Sequence, residues 1–237
     1  MQGEAYEKQA TIKNQKQRTI KSSRGKIYDC NGKLLASNEQ SYAITLEDTG
    51  EIKTNKQMNE MILKCIALIE KNGDKVTVDF PITIDKKGRF KFNVDKNAQL
   101  RFKREIYFCK SVDELTDDQK NMTAEECFRY IRTSNAVNAI HFFDPLTEKN
   151  KNDADAAEKY EQDYDDATAL KIMSIRYALM MNTYQKYEPV TISSDVSLET
   201  VAAIKENSAS LIGVDVSEEA KRVYYNSKYF SHIIGYT

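Results

Sequence analysis

The run RGKIYDCNGKLLA, residues 24–36, decides how the first part of this chain folds. Two apolar stretches, 26–28 and 34–36, flank Asn31-Gly32, and Asn-Gly between apolar runs is a strong signal for a β-hairpin. A further strand is predicted over 41–46, because Tyr42, Ile44 and Leu46 alternate with other residues there. The beginning of the chain is therefore predicted to be β structure.

A different pattern begins near Gly50. Apolar residues recur at helical spacing from Met58 to Ile69, and Asn72-Gly73 supplies the stop. Strict alternation then predicts one strand over 76–84 and another over 90–94, joined by a turn at 85–88. Helices are predicted over 98–108, 123–133 and 170–184, the second opening with a Thr123-x-x-Glu126 capping box.

The C-terminal part returns to short elements. It is predicted to be extended at 189–192, helical over 198–204, and strand over 214–216 and 222–225. The fold class is therefore α+β, with β-rich ends that enclose a mixed insertion.

Composition narrows the possible functions. The formal net charge is −1, so the chain lacks the basic balance typical of nucleic-acid-binding domains. Its longest apolar runs are about five residues, whereas a membrane-spanning helix needs roughly 20. An export signal would have to lie outside this sequence, or else the protein is cytosolic, and composition favours neither. The four cysteines form no Cys-x-x-Cys pair, which favours free thiols over a zinc site.

Two short motifs resemble catalytic ones. Ser23-Arg24-Gly25-Lys26 has the Ser-x-x-Lys spacing of penicillin-recognising enzymes, but that spacing works only on a helix, and Gly25 with the following hairpin favours extended chain. No Ser-x-Asn or Lys-Thr/Ser-Gly completes the set. Asp48-Thr49-Gly50 resembles an aspartic-protease loop, but it occurs once where two are needed, so a turn is predicted.

The remaining candidate residues for metal binding or catalysis are also better explained by structural roles. The acidic stretch 144–166 lacks the glycine and the regular ligand spacing of an EF-hand loop, so a solvated loop is predicted. Its calcium-ligand candidates are Asp153, Asp155, Glu158, Glu161, Asp163, Asp165 and Asp166. His141 and His232 stand beside apolar residues and are interpreted as packed side chains. We therefore predict no catalytic residue, no metal and no cofactor.

Eight positions of the opening run carry a family resemblance: Arg24, Gly25, Ile27, Asp29, Asn31, Gly32, Leu35 and Ala36, followed by Asn38 and Tyr42. This pattern closely resembles the opening motif of class B penicillin-binding proteins, in the non-catalytic module often called the dimerisation or pedestal domain. A second resemblance runs from Tyr187 to Val214. A third includes Arg222, Tyr224, His232 and Gly235, which look like Arg-x-Tyr and His-x-x-Gly-Tyr signatures. The family's usual Pro-Gly pair is replaced by Tyr225-Asn226 or Asn226-Ser227, and its usual Pro before Gly213 is replaced by Leu211-Ile212.

The resemblance implies an organisation and a function. It implies a juxtamembrane stalk at 1–23, a pedestal subdomain at 24–49 and 187–237, and a head with a connecting helix at 50–186. The chain itself is then no enzyme. It would be a scaffold on the extracytoplasmic face of the bacterial cytoplasmic membrane, holding a C-terminal serine D,D-transpeptidase domain of the same polypeptide near peptidoglycan.

Partners and an alternative are implied by the same resemblance. The implied partners are that transpeptidase domain, cell-wall synthesis proteins or a second copy of the chain. No nucleic-acid partner is expected. The membrane would be reached only through an N-terminal helix preceding Met1. The alternative is a stand-alone secreted or surface protein that binds glycan or protein through the head. Downstream sequence with the three transpeptidase motifs would separate the two.

The motif residues suggest architecture. Asn31-Gly32 would fix the hairpin register, and Gly25 would permit a close backbone approach. Arg24, Asp29 and Arg222 would form charged hydrogen bonds that lock the first and last segments together. Tyr224, His232 and Gly235 complete the predicted interface set.

Overall fold

The computed structural model describes residues 23–133, 140, 142–143, 164–182 and 188–225. It confirms an α+β fold. The strands are β1 (Ile27–Tyr28), β2 (Leu34–Leu46), β3 (Ile82–Ile84), β4 (Phe90–Phe92), β5 (Val190–Ser193) and β6 (Val214–Tyr224). The helices are α1 (Asn55–Lys71), α2 (Lys96–Ile106), α3 (Asp117–Asn121), α4 (Ala124–Thr133), α5 (Asp166–Met181) and α6 (Leu198–Glu206).

The chain divides into two compact units. Unit 1 comprises residues 1–42 and 217–237, and unit 2 comprises residues 43–216. The boundaries predicted for the stalk (1–23), the pedestal (24–49 and 187–237) and the head (50–186) stay predictions. Residues 1–22 of the predicted stalk, like most of the acidic stretch, lie outside the described residues.

The larger sheet is organised around β2. Strands β1 and β5 pair with it antiparallel, and β6 pairs with it as well. The bonds from Glu47 N to Gly213 O (2.9 Å) and from Tyr225 N to Leu35 O (2.9 Å) close the two ends of the β2–β6 ladder, which is therefore antiparallel. Both ends of the described chain contribute strands to one sheet.

The β1–β2 hairpin confirms the Asn31-Gly32 prediction with a three-residue loop. Asp29 N donates to Lys33 O (2.9 Å) and Gly32 N donates to Asp29 O (3.0 Å). Gly32 has φ +78°, which is the left-handed region. This is the geometry of a turn followed by a bulge, where glycine avoids the penalty of a Cβ atom.

The loop of the β3–β4 hairpin has the same geometry. Asp85 N donates to Arg89 O (3.0 Å), Gly88 N donates to Asp85 O (2.9 Å), and Gly88 has φ +76°. The Asp85 carboxylate accepts from the backbone N–H of Lys87 (2.8 Å) and of Arg89 (3.1 Å). An aspartate at the first position thus closes both loops through its own side chain.

Three strand predictions need correction. The strand predicted over 76–84 is limited to Ile82–Ile84, because Pro81 has no N–H for a ladder. The segment before Pro81 instead makes a single backbone bond to β5, from Thr77 N to Ile192 O (2.9 Å). The two strands predicted within 34–46 are one strand, and so are the two predicted within 214–225.

The helices lie close to their predicted positions. Helix α1 begins at a Thr54 cap, whose hydroxyl accepts from Gln57 N (3.2 Å), and it ends at Asn72 before Gly73 with φ +85°. The helix predicted over 98–108 is α2, shifted by two residues. Helix α5 begins four residues earlier than predicted because Asp165 caps it, accepting from Thr168 N (2.8 Å). Among the described residues, no helix has both the length and the apolar character that crossing a bilayer requires.

Unit 2 contains a core of aromatic and aliphatic side chains. Phe102 and Phe128 are fully buried in it, and Phe80 meets Phe102 edge-on with ring centroids 5.6 Å apart. Helix α1 also has a buried apolar face, formed by Met61, Ile62, Cys65, Ile66 and Ile69. Burial raises the pKa of Cys65 to about 12 and that of Cys127 to about 11, so both thiols stay protonated at neutral pH.

Gly213 makes the close backbone approach that the sequence assigned to Gly25. A Cβ atom at Gly213 would lie 2.2 Å from Glu47 O, and Gly213 has φ +81°. At Gly25 an added Cβ would meet no described atom within 4 Å, so the prediction of close approach there is wrong. Gly213 precedes β6 at the point where that strand begins to pair with β2.

We expect Gly213→Ala to lower the free energy of unfolding by about 2–3 kcal/mol, since left-handed backbone and a clash with a carbonyl oxygen both oppose the new methyl group. Gly25→Ala is the matched control and should change it by less than about 0.5 kcal/mol. Urea unfolding followed by circular dichroism measures both. Equal effects of the two substitutions would contradict the steric argument.

The β3–β4 hairpin should be sensitive to acid. The backbone N–H of Arg89, with further bonds from Lys87 and the Arg89 and Lys91 side chains, lowers the pKa of Asp85 from 3.8 to about 2. A depressed carboxyl pKa stabilises the fold above pH 4, and that contribution is lost as the pH falls from about 4 through about 2. The stability difference between the unmodified chain and Asp85→Asn should shrink over this range, as measured by urea unfolding, with the carboxyl titration followed by NMR. A pH-independent difference would contradict it.

Candidate functional site

Of the predicted interface residues, Arg24, Gly25 and Tyr224 lie around Arg222, which is on β6 in unit 1. Its Nη1 donates to the carbonyl oxygen of Gly25 (2.7 Å) and to Oδ1 of Asn38 on β2 (3.1 Å). The Nδ2 atom of Asn38 donates to the carbonyl oxygen of Arg24. One guanidinium and one amide thereby tie together the segment before β1, the strand β2 and the strand β6. We call these four residues the Arg222 clamp.

Tyr224 lies beside the clamp on the same face of β6. It stands two residues after Arg222, and residues two apart on a strand share a face. The guanidinium carbon of Arg222 is 5.8 Å from the centroid of the Tyr224 ring, which is within cation–π range. The next residue, Tyr225, donates its N–H to Leu35 O (2.9 Å). Arg222 is therefore held from its own strand as well as across the sheet.

Asp29 acts within its own hairpin. Its Oδ1 accepts from Asn31 N (2.9 Å) and from Lys33 N (2.7 Å). The Arg24 guanidinium is exposed and makes no hydrogen bond or ion pair with any residue that the structure describes. Within the described residues, neither Arg24 nor Asp29 joins the first and last segments through its side chain, and a charged lock at these two residues stays a prediction. Arg222 does join the first and last described segments, through a backbone carbonyl and an amide.

The other predicted residues have separate outcomes. Asn31 and Gly32 form the hairpin loop described above. Gly25 contributes its carbonyl oxygen to the clamp. His232 and Gly235 lie outside the described residues, as does His141. Asn38 was noted only as part of the motif, although it has two bonds in the clamp.

The short catalytic look-alikes adopt non-helical conformations. Residues 23–26 contain no helical residue, so Ser23 and Lys26 lack the one-turn relation that the Ser-x-x-Lys mechanism uses. Asp48-Thr49-Gly50 is a turn, as predicted: Asp48 Oδ1 accepts from Gly50 N (3.0 Å), and Gly50 has φ +71°.

Two candidate calcium ligands have structural contacts instead. Asp165 caps α5, and Asp166 forms ion pairs with Arg129 (3.0 Å) and Arg132 (2.6 Å) of α4. The other five acidic candidates lie outside the described residues. Within the described part of the chain, no group of three or more His, Cys, Asp or Glu side chains is arranged to hold a metal ion.

Asp74 is a polar centre that sequence reasoning missed. Its Oδ2 accepts from Ser197 N (3.0 Å), Ser197 Oγ (2.8 Å) and Thr200 Oγ1 (2.5 Å), at the start of α6. Burial alone would raise the pKa of Asp74, but the hydrogen bonds from Thr200 and Ser197 outweigh it and lower that pKa. The Ser197-x-x-Thr200 pair signals a helix start, but no local pattern points to Asp74 as its partner.

Comparison with known proteins gives a family match over most of the chain. The model of the family described as Penicillin-binding Protein dimerisation domain matches residues 19–237. No curated protein matches the sequence.

Solved structures of penicillin-binding protein 2B from Streptococcus pneumoniae are also similar. For strain 5204 the identity is 17% and the TM-score 0.44, over 92% of this chain and 28% of that one. For strain R6 the identity is 18% and the TM-score 0.37, over 91% and 27%. The chain thus spans under a third of the length of these structures.

The clamp generates a stability prediction. Arg222→Ala should lower the free energy of unfolding by about 1 kcal/mol, since two hydrogen bonds are lost at a half-exposed position. Asn38→Ala should cost a similar amount. The double mutant should cost less than the sum, with a coupling of about 0.5–1 kcal/mol, because the two side chains share a bond.

Arg24→Ala is the matched control in urea unfolding. It removes an arginine whose guanidinium makes no bond to the described residues, and it should change stability by less than about 0.5 kcal/mol. A loss at Arg24 as large as that at Arg222 would overturn this assignment, and so would additive effects at Arg222 and Asn38.

Proposed function

This chain belongs to the penicillin-binding protein dimerisation domain family, and from that premise we propose that it is a non-catalytic scaffold for a peptidoglycan transpeptidase. The transpeptidase would be a further domain of the same polypeptide. The scaffold would stand on the extracytoplasmic face of the bacterial cytoplasmic membrane, joined to the membrane by a helix that precedes these residues. Cell-wall synthesis proteins or a second copy of the chain are its further partners in this proposal.

The observation that carries the proposal is the convergence of the family-like residues in one structural element. The family model covers residues 19–237, and the motif positions Arg24, Gly25, Asn38 and Arg222 come from both halves of the sequence. They meet in the Arg222 clamp through hydrogen bonds of 2.7 Å and 3.1 Å. A motif whose members bind backbone carbonyls and one another supports a role in holding the chain.

A scaffold must fix the distance between a membrane anchor on its N-terminal side and a catalytic domain on its C-terminal side. In unit 1, the first described residues and the last described strand are connected directly, because Arg222 on β6 donates to Gly25 O. The Asp29 loop adds stiffness, since a side chain with two backbone bonds restricts the turn between β1 and β2. Hydrogen bonds of this kind hold segments of the chain in fixed positions, which supports a structural role rather than a catalytic one.

Acylation by penicillin would occur outside these residues in this proposal. The Ser23-to-Lys26 segment is the chain's one Ser-x-x-Lys sequence, and its non-helical backbone does not place the lysine to activate the serine. Ser-x-Asn and Lys-Thr/Ser-Gly sequences are missing from these 237 residues. Peptidoglycan cross-linking is accordingly assigned to a domain that the clamp helps to position.

A fluorescent penicillin tests this division of labour. The 237-residue chain should carry no covalent label on a denaturing gel. The full gene product should be labelled, and Arg222→Ala should leave its labelling within about two-fold while cells that depend on it lose cross-linked peptidoglycan. The reason is that the substitution loosens the scaffold and leaves the acylated serine intact.

Arg24→Ala in the full gene product is the control, and it should preserve both labelling and cross-linking. A labelled band from the 237-residue chain that disappears on Ser23→Ala would show that the chain is itself reactive. Normal cross-linking and growth with Arg222→Ala, at a stability loss matching that of the isolated chain, would reject the scaffold role.

A further inference from the structure

Unit 2 contains an open cavity lined by both apolar and polar side chains. Its volume is about 320 Å³, which lies within the range of ligand-binding pockets. Side chains from α1, from α5, from the residues after α2 and from residues 140 and 142 contribute to it. The apolar ones are Met58, Phe108, Ile140, Phe142, Leu179 and Met180.

One wall of the cavity is fixed by a polar network. The Arg176 guanidinium on α5 donates to Oδ1 of Asn59 (3.0 Å) and to Oδ1 of Asn55 (2.7 Å), both on α1. Asn59 is buried and donates its Nδ2 to Phe142 O (2.9 Å). The guanidinium carbon lies 5.4 Å from the centroid of the Phe142 ring. The wall formed by Phe142 is therefore built before any ligand arrives.

Phe108 occupies a strained position at the edge of the cavity. It follows the end of α2, where Phe108 N donates to Glu105 O (3.1 Å) and Cys109 N donates to Arg104 O (3.0 Å). These two bonds form the Schellman motif, whose left-handed residue is usually glycine. Here that residue is a phenylalanine with φ 52°, and it is 58% exposed.

A bulky residue in the left-handed region is unfavourable. Glycine would relieve that strain without losing either backbone bond. The ring therefore serves something other than the stability of this helix end, and strained residues of this kind cluster at binding sites. Met58 and Met180 beside it are unbranched side chains that adapt to different shapes.

The charges around the cavity indicate what enters it. Arg176 also lines it, but its guanidinium is held by Asn55, Asn59 and the Phe142 ring. Asp48 and Glu188 line it as well and are exposed, and neither forms an ion pair within the described part of the chain. Asp48 uses Oδ1 to bind Gly50 N (3.0 Å), so its charge still faces the surroundings. A ligand with an apolar side chain next to cationic groups complements this combination.

We propose that this cavity is a docking site for a polypeptide segment that inserts a leucine or phenylalanine between Phe108 and the Phe142 wall. Lysine or arginine residues on either side of that apolar side chain pair with Asp48 and Glu188. The site is distinct from the Arg222 clamp and does not depend on the scaffold function, because a free-standing chain would carry it equally well.

Methionine methyl NMR on the 237-residue chain tests the proposal. The probe is the peptide acetyl-Lys-Leu-Phe-Lys-amide, with acetyl-Glu-Leu-Phe-Glu-amide and acetyl-Lys-Ser-Ser-Lys-amide as matched controls. The probe should shift the Met58 and Met180 methyl signals saturably, leaving Met122 unmoved. Each control peptide should bind at least five-fold more weakly.

Substitutions then distinguish the contribution of the Phe108 ring to probe binding from that of the Asp48 and Glu188 carboxylates. Phe108→Gly should weaken probe binding at least ten-fold while the melting temperature stays the same or rises, since glycine suits the Schellman motif. Asp48→Asn keeps the turn acceptor, and it and Glu188→Gln should each weaken binding about two- to five-fold. Leu198→Ala and Glu199→Gln, exposed positions outside the cavity, are the matched controls and should have no effect.

Several results would overturn the proposal. These are unshifted Met58 and Met180 signals at millimolar probe, equal binding of the Glu-flanked peptide, or undiminished binding by Phe108→Gly. A concentration-dependent dimer that Phe108→Gly dissociates would assign the cavity to a second copy of the chain instead. Equal binding of the serine peptide would show that only the positive charges are recognised and that no apolar side chain inserts into the cavity.

Discussion

The larger sheet depends on a single strand, because β1, β5 and β6 each pair with β2 and none of them pairs with another of the three. Ala36, Ala43, Ile44 and Leu46 on β2 are at most 1% exposed, so this strand supplies both the hydrogen-bonding edges and much of the apolar surface. Without it the partner strands, two of which have no more than four residues, would be too short to form a sheet. The first half of β2 carries Asn38 of the clamp and the last two motif positions, Leu35 and Ala36.

The parts of the fold that sequence predicted are those specified by neighbouring residues. Asn31-Gly32 gave the first hairpin, and Gly73 marked the end of α1, because left-handed backbone favours glycine wherever it occurs. The continuity of β2 and β6 was not predictable in the same way. Residues 37–40 and 217–221 are mainly polar and break the apolar alternation, and they are strand because a paired strand lies beside them. That pairing joins residues about 170 to 190 positions apart.

The site was partly predictable for the same reason. The sequence identifies Arg222 and Asp29 as charged hydrogen-bonding residues but does not assign their partners. Asp29 Oδ1 accepts from two N–H groups of its own loop, and Arg222 donates to Gly25 O and Asn38 Oδ1. The sequence contained a signal for this: Asp29-x-x-Gly32-Lys33 has the same spacing as Asp85-x-x-Gly88-Arg89, and both aspartates close their loops. The shared spacing therefore predicts that Asp29 binds its own loop and that Arg222 binds other acceptors. Gly213 had no local signal, since its constraint comes from Glu47.

The two surfaces differ in what they require of the sequence. The clamp binds mainly backbone atoms, because Arg222 and Asn38 reach the carbonyl oxygens of Gly25 and Arg24, which any residue would offer. Only the arginine and the amide are then essential, and the surrounding residues are free to vary. The proposed docking at the cavity would depend instead on the Phe108 side chain and on the carboxylates of Asp48 and Glu188, which line it. A surface that binds backbone atoms constrains few side chains, whereas a surface that acts through side chains constrains the identity of each residue that lines it.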